Sequence, residues 1–588
     1  MTADDIRQSK GEGASQCPVT PLGHNGGRVY VLTAHGDILD YRPRDLGRPE
    51  IEFIFGDNAN WLFHAFPKTD DKGNRTGINW SEARYYLVNE CGRAGFFDKE
   101  NGLRGPGIWR NPGGPLIVHA GDAVEMNGRW QRAGFKAEDG FIYMAGPREP
   151  RPADEPAPAW IGRELRGFLE AWNWLAPPVG DGSMGARLCL GWLANACIVG
   201  ALKWRPHILI TGERGTGKSS LDDLIEAILN PRVIMKASAP SAAGVRQQLA
   251  GAARPVMLDE VEHSAENRHA SQLIEMARLG STDGQGAVTR GSKDGRPQAW
   301  HIRACFVFSA ILHPKLQPQD ASRITVLDLG PLNPDPEAGN RITEGIEYFA
   351  TWSGAIRRRM IALFGVYEQN REVFRTAVIE AGGDSRQADQ FGALLAGAHT
   401  LEHDEAVNAE DATDLAKRLI KSELVPDEGD SDAAQCLERL LTWPVDLPQN
   451  GARRRFALGT LIRSQRDQKT RERADLLASY GVKVRTNLPG QKGDPGHPGF
   501  LVVANNHTAL ERVYEGTRWQ RGVWPQALGR LPLCHRGKVC SFAGSIHRAV
   551  WIPLEKVFDP DAEEDERAEM AAAHAEEDGA GAQDEQGR

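Results

Sequence analysis

Paired cysteines and long apolar runs are both missing from this sequence. Its eight cysteines, scattered from Cys17 to Cys540, include no CxxC pair, so neither a disulfide framework nor a standard zinc knuckle is expected and reduced thiols are the default. Cys534, His535, Cys540 and His547 stand close together, yet their spacings fit no familiar zinc module and the segment reads as a short hairpin. No apolar stretch approaches the roughly 18 residues that span a bilayer, and Met1 to Gly13 is polar and acidic rather than charged and then apolar like a signal peptide. These absences predict a cytoplasmic chain with no membrane partner. A fixed internal repeat is absent too. So is an excess of basic charge, since the net charge is -9. That shortage is local: from Asp559 onward the tail holds 12 acidic and 2 basic residues, and removing its -10 from -9 leaves the body at +1. The tail is expected to be solvated and disordered, while a near-neutral body can still carry local basic surfaces.

What is present is ordinary globular composition, 40% apolar and 25% charged, in a chain of 588 residues that is too long for one core. The reading by segment is as follows. Residues 1–27 are polar and Gly-rich and form a loose start. Over 28–145 short apolar runs such as Val29-Tyr30-Val31-Leu32 alternate with Gly and Asn-Gly turns, which predicts a mixed α+β N-terminal domain for binding or oligomerisation. The proline-crowded stretch 146–159 reads as an extended linker. Helical spacing over 160–205 predicts a helical collar, and 206–330 alternates strand-like and helical patterns, the signature of an α/β parallel sheet. Residues 331–440 read as helical, 441–558 suit a winged-helix arrangement, and 559–588 are the acidic tail.

The chemistry is concentrated in 206–330. The run His207-Ile208-Leu209-Ile210-Thr211 leads into Gly212-Glu213-Arg214-Gly215-Thr216-Gly217-Lys218-Ser219, which fits GxxxxGK[ST] without a mismatch. Leu221, Leu224, Ile225 and Ile228 then recur at helical spacing, so strand, Gly-rich loop and helix stand in the order that a P-loop NTPase requires. Backbone N–H groups from Gly212 to Ser220 would face the phosphates of ATP, Lys218 would reach the β- and γ-phosphates, and Ser219 would ligate Mg²⁺. Further on, Val256-Met257-Leu258-Asp259-Glu260 is an apolar strand ending in two carboxylates. Asp259 suits the Mg²⁺ shell and Glu260 the polarisation of water for attack on the γ-phosphate, with Glu262 as the competing base. A third strand, Ala304 to Ser309, ends in a hydroxyl that could orient that water if the strand lies between the other two. Arg323, just before the run Ile324-Thr325-Val326-Leu327, suits a role in trans at a neighbouring subunit's γ-phosphate.

Between these strands, Arg290-Gly291-Ser292-Lys293-Asp294-Gly295-Arg296 predicts a hairpin with Arg290, Lys293 and Arg296 at its tip, a device for gripping a phosphate backbone. Taken in order, these motifs resemble those of superfamily 3 helicases, the AAA+-like replication motors of phages, plasmids and small DNA viruses. More closely, Ser241 to Leu249, Val256 to Glu262, the Arg290 to Gly295 turn and Ala321 to Leu329 look like phage and prophage helicases, including primase-helicases and the related DUF927 domain. The resemblance covers about Trp160 to Leu329, with an echo in Ser545 to Leu554, and departs at Ser309, where many members have Asn. It implies an ATP- and Mg²⁺-dependent DNA helicase or translocase, an oligomeric ring, hexameric by analogy, acting on single-stranded or forked DNA with replication partners. The alternative reading is a non-translocating P-loop assembly or loader ATPase, with defence against phage as one setting.

Overall fold

The computed structural model describes residues 17–558 except 112–113, 176–182, 239–240, 250, 260–267, 283–286, 292–296, 312–315, 317, 333–337, 421–431, 450–451, 490–498 and 518, with backbone alone for 100–101, 238, 268–269, 287–291, 297–300, 318, 338, 432, 447–449 and 452–454. The chain divides into two compact units, Met1–Val425 and Pro426–Arg588.

The first unit begins with small antiparallel sheets. Strands Thr20–Asn25, Arg28–Leu32 and Ile38–Tyr41 pair in sequence order, and the helix Trp80–Ala94 buries Ala83, Tyr86, Leu87 and Cys91 in the core beneath them. A four-stranded antiparallel sheet follows, spanning Gly107 to Arg132. The proline-rich stretch is extended, as its prolines dictate, but it is no free linker. Ala153 and Ala157 donate their N–H groups to Gly354 O and Ala355 O at 3.0 and 2.9 Å, and Arg357 and Arg358 donate to Pro150 O and Ala153 O at 3.0 and 2.7 Å. Its prolines exclude a helix on local grounds, whereas the partners that fasten the stretch stand about 200 residues further along the chain.

A five-stranded parallel sheet forms the centre. Its strands, with an inserted hairpin, are β1 (His207–Gly212), β2 (Met235–Ser238), β3 (Val256–Asp259), the hairpin β4 (Ala287–Gly291) and β5 (Pro297–His301), then β6 (Phe306–Ala310) and β7 (Ile324–Leu329). The sheet order is β2-β3-β6-β1-β7. Successive side chains of a strand point to opposite faces, and two cores result: Ile208, Ile210, Met257, Val307 and Leu327 on one face, and Leu209, Val256, Leu258, Phe306 and Phe308 on the other. Near-continuous apolar strands are what burial on both faces requires.

The second of these faces is covered by α4 (Ala242–Gln248) and α5 (Arg268–Gly280). The first carries a thick helical layer: α1 (Ala159–Leu169), α2 (Ser183–Ala196), α3 (Lys218–Leu229), α6 (Ala338–Thr351), α7 (Ser353–Ala362), α8 (Phe364–Glu380), α9 (Ser385–Glu402) and α10 (Ala409–Ile420). The collar expected over 160–205 and the helices expected after 331 are therefore one layer, because α9 packs on α2. Their approach is close: a Cβ on Gly191 of α2 would lie 2.0 Å from Leu394 O of α9. Asn195 bridges them, donating at 2.8 Å to both Gly191 O and Ala393 O while accepting from the Tyr367 hydroxyl at 2.7 Å. The Asp384 carboxylate caps α9 and Gln387 returns the bond, a capping box.

In the second unit α11 (Asp432–Leu441) is followed by the hairpin β8 (Pro444–Gln449) and β9 (Ala452–Ala457), then by α12 (Leu458–Asp467) and α13 (Arg471–Ser479). An antiparallel sheet comes next, in the order β10 (Val482–Arg485), β11 (Phe500–Ala504), β13 (Ser545–Pro553), β12 (His535–Phe542). Cys436, Leu437 and Leu440 of α11 enter this unit's own core, so the division falls ahead of that helix and not at 441. Among the described residues no helix is long and apolar enough to cross a membrane, and no group of three or more His, Cys, Asp and Glu is placed to hold a metal ion.

Candidate functional site

The site grows from β1. Its first residue, His207, is fully buried, with Nε2 facing Ala277 O at 2.7 Å and Nδ1 accepting from the Phe306 N–H at 3.1 Å. Burial pushes its pKa down to about 3, so it is a neutral pin joining β1, β6 and α5. At the other end Gly212 opens the loop, Thr216 is buried with its hydroxyl on Glu213 O at 2.9 Å, and Gly217 stands at the N-cap of α3 with φ +75°. A Cβ on Gly217 would fall 2.7 Å from Leu332 Cδ1 and 2.9 Å from Trp172 Nε1, so both its conformation and its surroundings call for glycine. The Trp172 indole, 2% exposed, donates to Gly217 O at 2.9 Å. Glu213, Arg214, Gly215 and Ser219 are exposed, Ser220 is half-buried, and the Lys218 ammonium rests 3.5 Å from Gly212 O. Orphan N–H groups at the start of a twelve-residue helix beside a lysine make a positively polarised cradle.

Across from this cradle lie β6 and β3. Ser309 is paired with Ile210 in the sheet, and Leu258 with Phe308, so Asp259 and Ser309 end their strands at neighbouring levels. Alternation places both on the face toward α3. There the Ser309 hydroxyl donates to Asp222 Oδ2 at 3.0 Å. Asp222 is 5% exposed and its Oδ1 meets no hydrogen-bond donor among the described residues. Burial, and then the negative Asp259, push its carboxyl up to about 7, against the Ser309 hydrogen bond and the cations Lys236 and Lys218. One helical turn separates Asp222 from Ser219, so the structure brings together Lys218, Ser219, Asp222, Asp259 and Ser309 at the C-terminal edge of the sheet.

The remaining expected residues fare differently. Glu260 and its competitor Glu262 lie outside the described residues, as do Lys293 and Arg296. The hairpin expected around them forms, with Arg290 paired to Gln298 through the backbone. Arg323 stands just ahead of β7, whose residues Ile324 and Leu329 pair with His207 and Gly212. At about 3.3 Å per residue the six residues from Arg323 to Leu329 put it roughly 20 Å from the loop along the sheet. Its guanidinium is turned inward: it is 8% exposed, donates to Gln319 O at 2.7 Å and lies 5.9 Å from the Trp204 ring. Burial, then Arg386 and Arg278, lower its pKa, opposed by Asp320. An arginine read as free to reach outward is thus packed within its own chain.

Two contributors escaped the sequence reading. Asp222 carried a signal, a carboxylate on the apolar stripe between Leu221 and Ile225. Trp172 carried none, because its contact with Gly217 joins residues 45 positions apart.

No known family's profile matches the sequence, and neither does any curated protein. Among solved structures the chain is similar to "SCCmec type IV Cch - active helicase", at 10% identity over 90% of this chain and 91% of that one, with a TM-score of 0.41. It is also similar to the NrS-1 C-terminal region in its A form without ligand, at 13% identity over 75% of this chain and 96% of that one, with a TM-score of 0.28.

Proposed function

We propose that this chain is an ATP-dependent DNA helicase or translocase, working in the cytoplasm as an oligomeric ring, hexameric by analogy, within a phage or prophage replication system. The observation that carries the reading is the sheet order: β6 lies between β1 and β3, so the Gly-rich loop, the strand-end Ser309 and Asp259 share one edge, and the basic hairpin is inserted immediately before β6. Residues 212–220 fit a nucleotide's phosphates, since Gly217 tolerates no side chain and the loop's N–H groups are backed by Lys218. Ser219 and Asp259 are the residues that would hold Mg²⁺, which when bound neutralises charge on the transferring phosphoryl group. Lys218 orients the phosphates. Glu260 takes the proton of the attacking water by virtue of its place after Asp259 in the sequence, and Ser309, whose hydroxyl donates to Asp222, helps to orient that water. Arg290, Lys293 and Arg296 contact the phosphate backbone of single-stranded or forked DNA.

The inward position of Arg323 supports a second reading, a non-translocating assembly or loader ATPase, because such a machine needs no arginine reaching into a neighbour's site. ATPase rates with and without single-stranded DNA, alongside mass measurement with a slowly hydrolysed ATP analogue, separate the two. Strong stimulation by DNA and a ring support the motor. Turnover indifferent to DNA, with no ring, favours the assembly ATPase, and no turnover at all removes both.

A further inference from the structure

Charge in this chain is divided rather than mixed. Residues 1–431 hold 48 basic and 57 acidic residues, a net of -9, whereas Asp432 to Phe558 hold 20 basic against 10 acidic, a net of +10. Such an excess on the part of the second unit that builds its core, Cys436 to Phe558, is the electrostatic footprint of a polyanion-binding surface. Fifteen of the 20 cations are arginines, whose planar fork matches pairs of phosphate oxygens.

Some of these arginines are structural. Arg439 donates to Val513 O at 3.1 Å, and Arg473 ties α12 to the start of α13 by donating to Ser464 O and Gln468 O, both at 2.9 Å. Others face solvent. Lys469 lies in the short turn between α12 and α13, Arg471 is the first residue of α13, and Arg485 ends β10; all three are exposed. The Arg471 side chain is 97% exposed and stands 4.0 Å from Asp475, a separation at which a surface ion pair contributes little. Two helices joined by a tight turn and followed by an antiparallel strand pair form a supersecondary unit that offers its turn and second helix to a nucleic-acid backbone. The cations run from Arg439 to Lys556 and are not confined to one amphipathic helix, which suits a long, regularly charged phosphate backbone better than a lipid surface.

We propose that the C-terminal unit binds nucleic acid through its phosphate backbone, with Lys469, Arg471 and Arg485 among the contacts, and that residues 559–588 compete for that surface. The competitor follows from the arithmetic: 12 acidic and 2 basic residues directly after Phe558 place -10 beside +10, and a tethered anion acts at high effective concentration. The surface belongs to the second unit and the hairpin to the first, and binding to it needs no nucleotide, so the proposal stands whether or not the chain hydrolyses ATP.

The test is equilibrium binding of labelled single-stranded and duplex oligonucleotides to the full chain, without nucleotide, over a series of salt concentrations. The triple variant Lys469→Ala, Arg471→Ala, Arg485→Ala is expected to weaken binding about tenfold near 0.1 M salt and to lower the slope of log affinity against log salt by about two, since each lost phosphate contact removes about 0.7 to 0.9. Removing residues 559–588 is expected to tighten binding several-fold and to do so least at high salt. Unchanged affinity and slope in a triple variant that melts like the parent would overturn the surface, as would tighter binding to anionic lipid vesicles than to either oligonucleotide. Unchanged or weaker affinity after removal of the tail would overturn the competitor.

Discussion

The first unit gathers its candidate site at one edge of a parallel sheet buried on both faces; the second carries 20 basic against 10 acidic residues between Asp432 and Phe558, on helices and loops as well as on strands. In the first, backbone geometry positions each functional group: Gly217 admits no side chain, Trp172 holds the loop, and Ser309 and Asp222 meet across the sheet and helix. In the second, no single residue is so placed, and affinity would be a sum of similar contacts. The lesson is about sensitivity. Single substitutions should act sharply in one unit and in graded steps in the other.

The strongest test of that contrast is Lys218→Ala. It removes the lysine that begins α3 and rests against Gly212 O, and ATP turnover is expected to fall at least a hundredfold. Nucleotide-free DNA binding by the second unit should stay at the parent value in the same protein. A variant that kept near-parental turnover would show that the loop is not the catalytic site.

Asp222 sharpens the contrast through pH. Its carboxyl stands at about 7 in the folded chain against 3.8 ordinarily, so between those values the folded state holds a proton that the unfolded state has released. Stability from this group is therefore lost as pH rises through that window. Asp222→Asn cannot ionise, and its gain in stability over the parent is expected to be about 2 kcal/mol larger at pH 8 than at pH 5. Denaturant melts at the two pH values measure it. An equal gain at both would mean that the carboxyl does not titrate there.

The smallest expected effect belongs to Trp172→Phe, which keeps the ring packing and removes the bond to Gly217 O. ATP affinity should fall about fivefold, the equivalent of roughly 1 kcal/mol for one hydrogen bond, while DNA binding by the second unit is unaffected. Calorimetric titration of the nucleotide measures the first, and a drop as large as that of Lys218→Ala would mean that the indole does more than hold the loop.

The pattern of what could be read in advance follows from distance along the chain. The loop, the Asp259 strand and the hairpin around Arg290 were legible because strand, turn and helix signals act over neighbouring residues. The place of β6 between β1 and β3 was anticipated for Ser309 as a condition of its role. Its partner Asp222 was not, being 87 residues away. The same holds for Arg323, whose inward turn depends on Trp204, and for the start of the second unit, which depends on where α11 finds its core. The opposed charges of residues 1–431 and 432–558 were countable from the outset, but they cancel to +1 until a boundary is drawn between the two segments.

The fastened stretch at 146–159 bears on how the first unit transmits force. Arg357 donates to Pro150 O at 3.0 Å and, from the same guanidinium, to Leu229 O at 3.2 Å. Leu229 is the last residue of α3, the helix that begins at Lys218. One side chain thus rivets the strap to the far end of the helix that follows the Gly-rich loop. The strap and the end of α3 share one guanidinium, and losing that side chain would release both at once.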